Sequence, residues 1–409
     1  MQASSSDGVC AKCSKQAKSR CSSCEKVYYC SLEHQQQHWP EHERECATYK
    51  VLVREHVGRY GVASRDLEAG KVVFTESAVA VGPKVDSPPL CLGCYAFVDG
   101  SSLCTLCGWP VCGPQCQDSP QHATNECPIF KEAGVKFQSD FNIPSPQYEC
   151  IAPLRALLSR ESNLDRWDAE VTVMEAHNSK RRETDVWGVN QVNTVDFLRK
   201  QCKLADRFDE ELIHTICGLF EVNAFEIRTA HGSNLRGLYP QTAILSHNCV
   251  ANTSHTISPG EQFRYITVHH VSHCVTNTNH IICPTGEFRL TLRTTVPVRS
   301  GQELYTSYTH SLEPTLVRRE NLSRGKYFDC SCTRCKDPTE LGTHLGTLKC
   351  NKCDPGLILS TNPLDPALRE QQCFLYQAVP PSSPVPPMCA CAQQSNTTSL
   401  ALWGWLLKY

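Results

Sequence analysis

The spacing of apolar residues changes period twice along this chain of 409 residues. Residues 51–84 carry two strand-like stretches, 60–64 and 71–76, separated by the turn Glu68-Ala69-Gly70. From about 148 to 230 the spacing is helical: Ile151, Leu154, Leu157 and Leu158 recur every three or four residues, as do Leu212, Ile213, Ile216, Leu219 and Phe220. Between 237 and 308 the pattern alternates, most clearly through Phe288, Leu290 and Leu292, with a turn at Arg299-Ser300-Gly301. The last 50 or so residues lose periodicity, and the proline-rich run 380–387 reads as a linker or disordered stretch. This order predicts an α+β fold. No apolar run approaches the ~18 residues that span a bilayer, so no membrane partner is expected.

Twenty-seven cysteines sharpen that picture. Eight candidate ligands open the chain as Cys10-x2-Cys13-x7-Cys21-x2-Cys24-x5-Cys30-x3-His34-x7-His42-x3-Cys46, and the segment 30–42 reads as a short helix carrying ligands on one face. A similar grid returns at Cys91, Cys94, Cys104, Cys107, Cys112, Cys116, His122 and Cys127. Thiolate and imidazole groups at these spacings suit tetrahedral zinc, and each two-residue gap lets one tight loop supply two ligands. Two cross-braced grids of eight imply four ions. Residues 1–9 are polar and read as no secretory leader, so paired cysteines point to reduced, metal-bound thiols of an intracellular protein rather than to disulfides. The net charge of −2 argues against broad nucleic-acid binding, and the grids lack the helix spacing of sequence-specific zinc fingers. Cys150, Cys202, Cys217 and Cys283 are expected to be buried free thiols, and His38, His269, His270 and His310 to be surface or structural.

One internal repeat stands out. The run Ser246-His247-Asn248-Cys249-Val250-Ala251-Asn252 returns as Ser272-His273-Cys274-Val275-Thr276-Asn277, and 259–264 is echoed by 284–289, about 25 residues on. Residues near 247–272 are read as a tandem copy, one of the two copies forming the structural strand.

Five ordered motifs between about 51 and 337 resemble the SMYD family of SET and MYND domain-containing protein-lysine methyltransferases. They are Gly58-Arg59-Tyr60-Gly61 with the following 70–76; the stretch 216–227 with Gly237-Leu238-Tyr239-Pro240; Ser246-His247-Asn248-Cys249; Gly301-Gln302-Glu303-Leu304 leading to Tyr308; and Cys330-x-Cys332-x2-Cys335. The extra amino-terminal module makes the resemblance strongest to the arthropod SMYD-A type. It implies a zinc-rich α+β chain with a MYND-type module at 10–46 and a split SET domain at 51–310. That domain holds a second MYND-like module at 91–127 and a helical insert at 148–230. A post-SET zinc segment at 311–353 and a disordered tail at 354–409 complete the expected order.

By the same resemblance, the chain would transfer methyl groups from S-adenosylmethionine to lysine in histone or non-histone protein, acting in transcriptional regulation in nucleus and cytoplasm as a monomer. Cys330, Cys332 and Cys335 offer three thiolates where a closed zinc site needs four. The family implies Cys249 as the fourth, although Cys274 sits at the more usual distance before Tyr308, and both stay open. About five zinc ions are then expected. Tyr308 would orient the attacking amine. Gly58, Tyr60, Glu175, His177, Ser246, His247 and Phe328 would contact the cofactor, and Asn223 and Phe225 would line the substrate channel. Cys350, Cys353 and Cys373 form an incomplete further half-site.

Two departures bear on activity. Ser246 replaces an asparagine whose carboxamide supplies both donor and acceptor. Tyr60 replaces a glycine where backbone approaches ligand closely, so its side chain either crowds the pocket or turns outward. The alternative is a catalytically weak adaptor whose MYND-type modules bind proline-containing peptides of corepressors.

Overall fold

The computed structural model describes residues 8–21, 26–43, 46–55, 58–138, 140–259, 288–350, 356–360, 362–365 and 371–375. Contacts divide the chain into two units: Met1–Ser246 with Asn252–Tyr305, and His247–Ala251 with Thr306–Tyr409.

The first unit is built from small antiparallel sheets and a helical insertion, the α+β class anticipated from the spacing. Gly58–Ala63 pairs with Tyr49–Arg54, Tyr49 opposite Ala63 and Arg54 opposite Gly58. Val72–Ser77, Phe288–Thr294 and Thr253–Pro259 form a second sheet with Phe288–Thr294 central. In that strand Phe288, Leu290, Leu292 and Thr294 point inward, the period-two pattern of a half-buried strand. Val81–Pro83, Asn234–Leu238 and Ala224–Arg228 make a third sheet.

The helix Glu210–Asn223 starts where the Asp209 carboxylate accepts the Leu212 N–H at 2.7 Å, an N-cap that satisfies one orphan donor. Its buried face carries Ile213, Ile216, Cys217, Leu219 and Phe220. The helical insert expected to reach 230 ends earlier. Ala224 turns extended, and Phe225 and Ile227 enter a strand because Asn234–Leu238 offers its backbone as partner, with Leu235 opposite Ile227. Helix Ile151–Ser162 packs in the same unit, and its Arg155 is buried. The core gathers Trp109, stacked on Phe130 at 4.3 Å, with Tyr148 and Phe197 against the indole. Cys150, Cys202 and Cys217 are buried free thiols, as expected; Cys283 lies outside the described residues.

The second unit contains the helix Thr315–Lys326, the short helix Thr333–Lys336 and a sheet of Leu348–Lys349, Gly356–Ser360 and Gln371–Leu375. This corrects the expectation of a tail without structure from 354 onward. The run Leu357-Ile358-Leu359 is too short to show a period, yet it pairs on both edges and buries Leu359. Among the described residues no helix is long and apolar enough to cross a membrane.

Candidate metal centres and active-site residues

In the first module Ser31 caps the helix Leu32–His42 by accepting the His34 N–H at 3.2 Å, which places His34 in the first turn. The ligand atoms of Cys10, Cys13, Cys30 and His34 all lie within 4.8 Å of one another, with Cys13 and Cys30 sulfurs 3.6 Å apart. The far end of the helix brings His42 to Cys21 and Cys46, whose sulfurs are 3.7 Å apart. Their expected companion Cys24 lies outside the described residues. His38 is structural: its Nδ1 meets the Tyr29 hydroxyl at 2.9 Å and its ring stacks on that of His42.

The second module forms two quartets, Cys91, Cys94, Cys112 and Cys116, then Cys104, Cys107, His122 and Cys127. His122 Nε2 faces the Cys107 sulfur at 3.5 Å, while its Nδ1 meets the Glu126 carboxylate at 2.8 Å. That arrangement fixes the imidazole tautomer and aims the free nitrogen at the metal position. Glu126 in turn accepts from Nε and Nη2 of Arg155, at 2.8 and 2.7 Å, and the same guanidinium reaches the Tyr95 hydroxyl and the Leu92 carbonyl. Neither Glu126 nor Arg155 was anticipated. The one available signal was Glu126 four residues after His122, a helical spacing that lets the two side chains meet.

In the second unit the sulfurs of Cys249, Cys330, Cys332 and Cys335 form a further quartet, Cys249 lying 4.0 Å from Cys330 and 3.5 Å from Cys335. A zinc ion bonded to sulfur at about 2.3 Å needs sulfurs about 3.8 Å apart at tetrahedral edges. The spacings in all five groups fit that requirement. Cys274 lies outside the described residues, as does Cys353; of Cys373 only the strand is described. Cys350 joins no ligand group among the described residues.

His247 links this quartet to Tyr308. The Tyr308 backbone N–H donates to His247 Nδ1 at 3.0 Å, so Nδ1 is the acceptor, and Nε2 faces the Cys249 sulfur at 3.3 Å. The imidazole expected at the cofactor is therefore engaged by protein on both nitrogens. Tyr308, His247 and Phe328 form an aromatic group with centroid separations of 5.3, 6.4 and 6.0 Å. Burial pushes the Tyr308 phenol up to about 12, so it stays a hydroxyl donor at neutral pH.

The first unit assembles the other expected residues. Arg59 donates to the Val173 carbonyl at 2.9 Å and Asn223 to the Glu175 carbonyl at 3.0 Å, so strand Gly58–Ala63 and the end of helix Glu210–Asn223 both hold the segment with Glu175 and His177. Glu175 Oε1 accepts the His177 N–H at 2.8 Å, and His177 adopts the left-handed region at φ 53°. Burial lowers the His177 imidazole below its usual range. The Tyr60 ring lies under the Arg54 guanidinium at 4.3 Å, so its side chain is taken up along the strand pair. The close approach falls one residue on: a Cβ at Gly61 would come within 2.7 Å of Leu245 Cδ2. Gly58 has φ +83°, where a side chain is strained. Phe225 packs edge-on to Tyr239 and His255, and Ser246 is half-buried. Asn252 was not anticipated as a fastener, yet its carboxamide holds both the Glu303 carbonyl at 2.9 Å and the Tyr305 N–H at 2.7 Å.

Residues 10–46 match the MYND finger family. The chain is also similar to the SET domain-containing protein SmydA-8, isoform B, of Drosophila melanogaster, at 28% identity over 72% of this chain and 59% of that protein. It is 22% identical to human Histone-lysine N-methyltransferase SMYD1, covering 73% of this chain and 57% of the relative. Against N-lysine methyltransferase SMYD2-B of Danio rerio the identity is 26%, with 68% and 58% covered. The chain thus spans less than two thirds of the length of these curated relatives. Among solved structures, the SET domain of LSMT bound to lysine and AdoHcy aligns over 86% of this chain and 69% of that one, at 11% identity and a TM-score of 0.34.

Proposed function

We propose that the chain is an S-adenosylmethionine-dependent protein-lysine N-methyltransferase of the arthropod SmydA type, a reading supported by its similarity to SmydA-8 and by the MYND finger match. The observation that carries the reading is the link Tyr308–His247–Cys249, which ties an aromatic group to a four-sulfur cluster of zinc dimensions. S-adenosylmethionine supplies an electrophilic methyl group on a sulfonium. The residues of this chain do the rest. Tyr308 orients the incoming amine through its hydroxyl, its ring set against that of Phe328, and the positive sulfonium of the donor disfavours the ammonium form of a lysine whose free pKa is about 10.4. The backbone segments carrying Gly58, Tyr60, Glu175, His177 and Ser246 serve the cofactor, while Asn223 and Phe225 border the substrate lysine. The quartet Cys249, Cys330, Cys332 and Cys335 binds zinc, as do the four groups of the two modules, about five ions in all.

Histone or other nuclear and cytoplasmic proteins are the proposed substrates, with a role in transcription. The MYND finger match at 10–46 favours a second role beside the first, capture of proline-containing peptides of corepressors. Incubating zinc-loaded chain with methyl-labelled cofactor, core histones and a cell extract tests the main reading. Label in lysine of a protein other than this chain is expected; labelling no greater than with heat-denatured chain contradicts it.

A further inference from the structure

Lys326 ends the helix Thr315–Lys326, and Tyr327 follows in the left-handed region at φ 61°. That reversal turns the chain so that Lys326 and Phe328 both face Tyr308: the Lys326 Nζ sits 5.8 Å from the centre of the Tyr308 ring, and the Phe328 ring meets the same tyrosine edge-on. An amine of the substrate's own chemistry thus already stands over the residue assigned to orient a substrate amine. We propose that Lys326 is an intramolecular methyl acceptor, so that the chain methylates itself beside its own active-site tyrosine. The inference rests on the methyltransferase reading above.

Two further observations favour it. Lys326 is half-buried, and burial pulls its amine down to about 8, so a share of it is uncharged at neutral pH. Its attachment to the helix end also places the amine without the entropy cost of bringing in a second chain. In the step, the Nζ lone pair forms the new carbon–nitrogen bond as the carbon–sulfur bond of S-adenosylmethionine breaks. The electron pair stays on sulfur, giving neutral S-adenosylhomocysteine, and the methylated ammonium releases one proton to water. The plainer role, an ammonium resting on a tyrosine face, predicts no methyl mark.

The test uses the full zinc-loaded chain with trideuteromethyl-labelled S-adenosylmethionine and peptide mass spectrometry. A labelled methyl group on Lys326 is expected, absent in Tyr308→Phe, and absent from a tagged Tyr308→Phe copy mixed with unlabelled wild type. A second measurement needs no turnover: sinefungin should slow acylation of Lys326 by acetic anhydride several-fold while leaving exposed Lys12 unchanged. Methylated external protein with Lys326 bare, label on the tagged copy, or no protection by sinefungin each overturns this inference alone. No transfer to any lysine overturns the methyltransferase reading with it.

Discussion

Arg318 Nε donates to the Cys249 sulfur across 3.3 Å, and the same buried guanidinium reaches Cys335 Sγ at 3.7 Å and Glu340 Oε2 at 2.7 Å. Four thiolates around one zinc leave a net charge of about −2 on a partly buried group. A guanidinium donating to two of those sulfurs offsets that charge and fixes their lone pairs. Glu340 in turn holds Arg318 and accepts the Thr315 N–H at 3.1 Å. Replacing Arg318 with Met, which keeps the volume and removes the charge, should weaken zinc at this quartet about 10–100-fold, the usual effect of losing a partner that orients ligands. Chelator competition measures it, with the other groups as internal controls.

Glu126 sits between His122 and Arg155 with every partner buried. Glu126→Gln leaves a buried guanidinium without its counter-charge and should cost about 3–5 kcal/mol. Urea unfolding followed by tryptophan fluorescence checks this, since Trp109 lies in the same core. A loss below 1 kcal/mol, of the size seen for exposed pairs, would show that the pair is not the fastener described.

Glu76 predicts a pH dependence of opposite sense to the usual carboxylate. Burial raises it to about 7, outweighing the Gln241 N–H at 2.7 Å, the Thr242 N–H at 3.0 Å and the Thr242 hydroxyl at 2.8 Å, all of which it accepts. A folded-state value above the unfolded one means the native state binds the extra proton. The contribution is therefore full below about pH 4.5 and is lost as pH rises through 7, with a span on the order of 3 kcal/mol. Glu76→Gln should flatten the stability profile between pH 5 and 8, read as thermal midpoints across that range.

Sequence spacing disclosed the metal groups because their information is local: a Cys-x2-Cys gap brings two sulfurs to one point whatever surrounds it. It could not choose between Cys249 and Cys274, since that choice depends on where a strand pairs. The structure pairs Pro259 with Phe288 and brings Cys249 to the quartet. Three other features were illegible for the same reason. Helix Glu210–Asn223 gives way to a strand because Asn234–Leu238 lies beside it. Glu126 and Arg155 look like surface residues until their partners enclose them. Gly61, rather than position 60, meets close packing because Leu245 arrives from 184 residues on.

The pairing of Pro259 with Phe288 has a consequence for the repeat. Removing residues 260–284 joins Pro259 to Thr285-Gly286-Glu287 and leaves a three-residue hairpin loop with glycine available for its left-handed position. The shortened chain lacks Cys274 and should keep its full zinc content, with a thermal midpoint within a few degrees of the parent. Cys249→Ser in the parent should instead lose one zinc per chain by elemental analysis. The reverse pattern would assign the quartet to the second copy.

The most direct measurement is titration calorimetry of S-adenosylmethionine into the zinc-loaded chain, followed by single-turnover methyl transfer from the same sample. Wild type is expected to bind and transfer; Tyr308→Phe is expected to bind with unchanged affinity and transfer at least about 100-fold more slowly, the scale of loss when a reacting amine is mis-oriented. Absence of binding heat at millimolar cofactor, or equal transfer by the two proteins, would contradict the account.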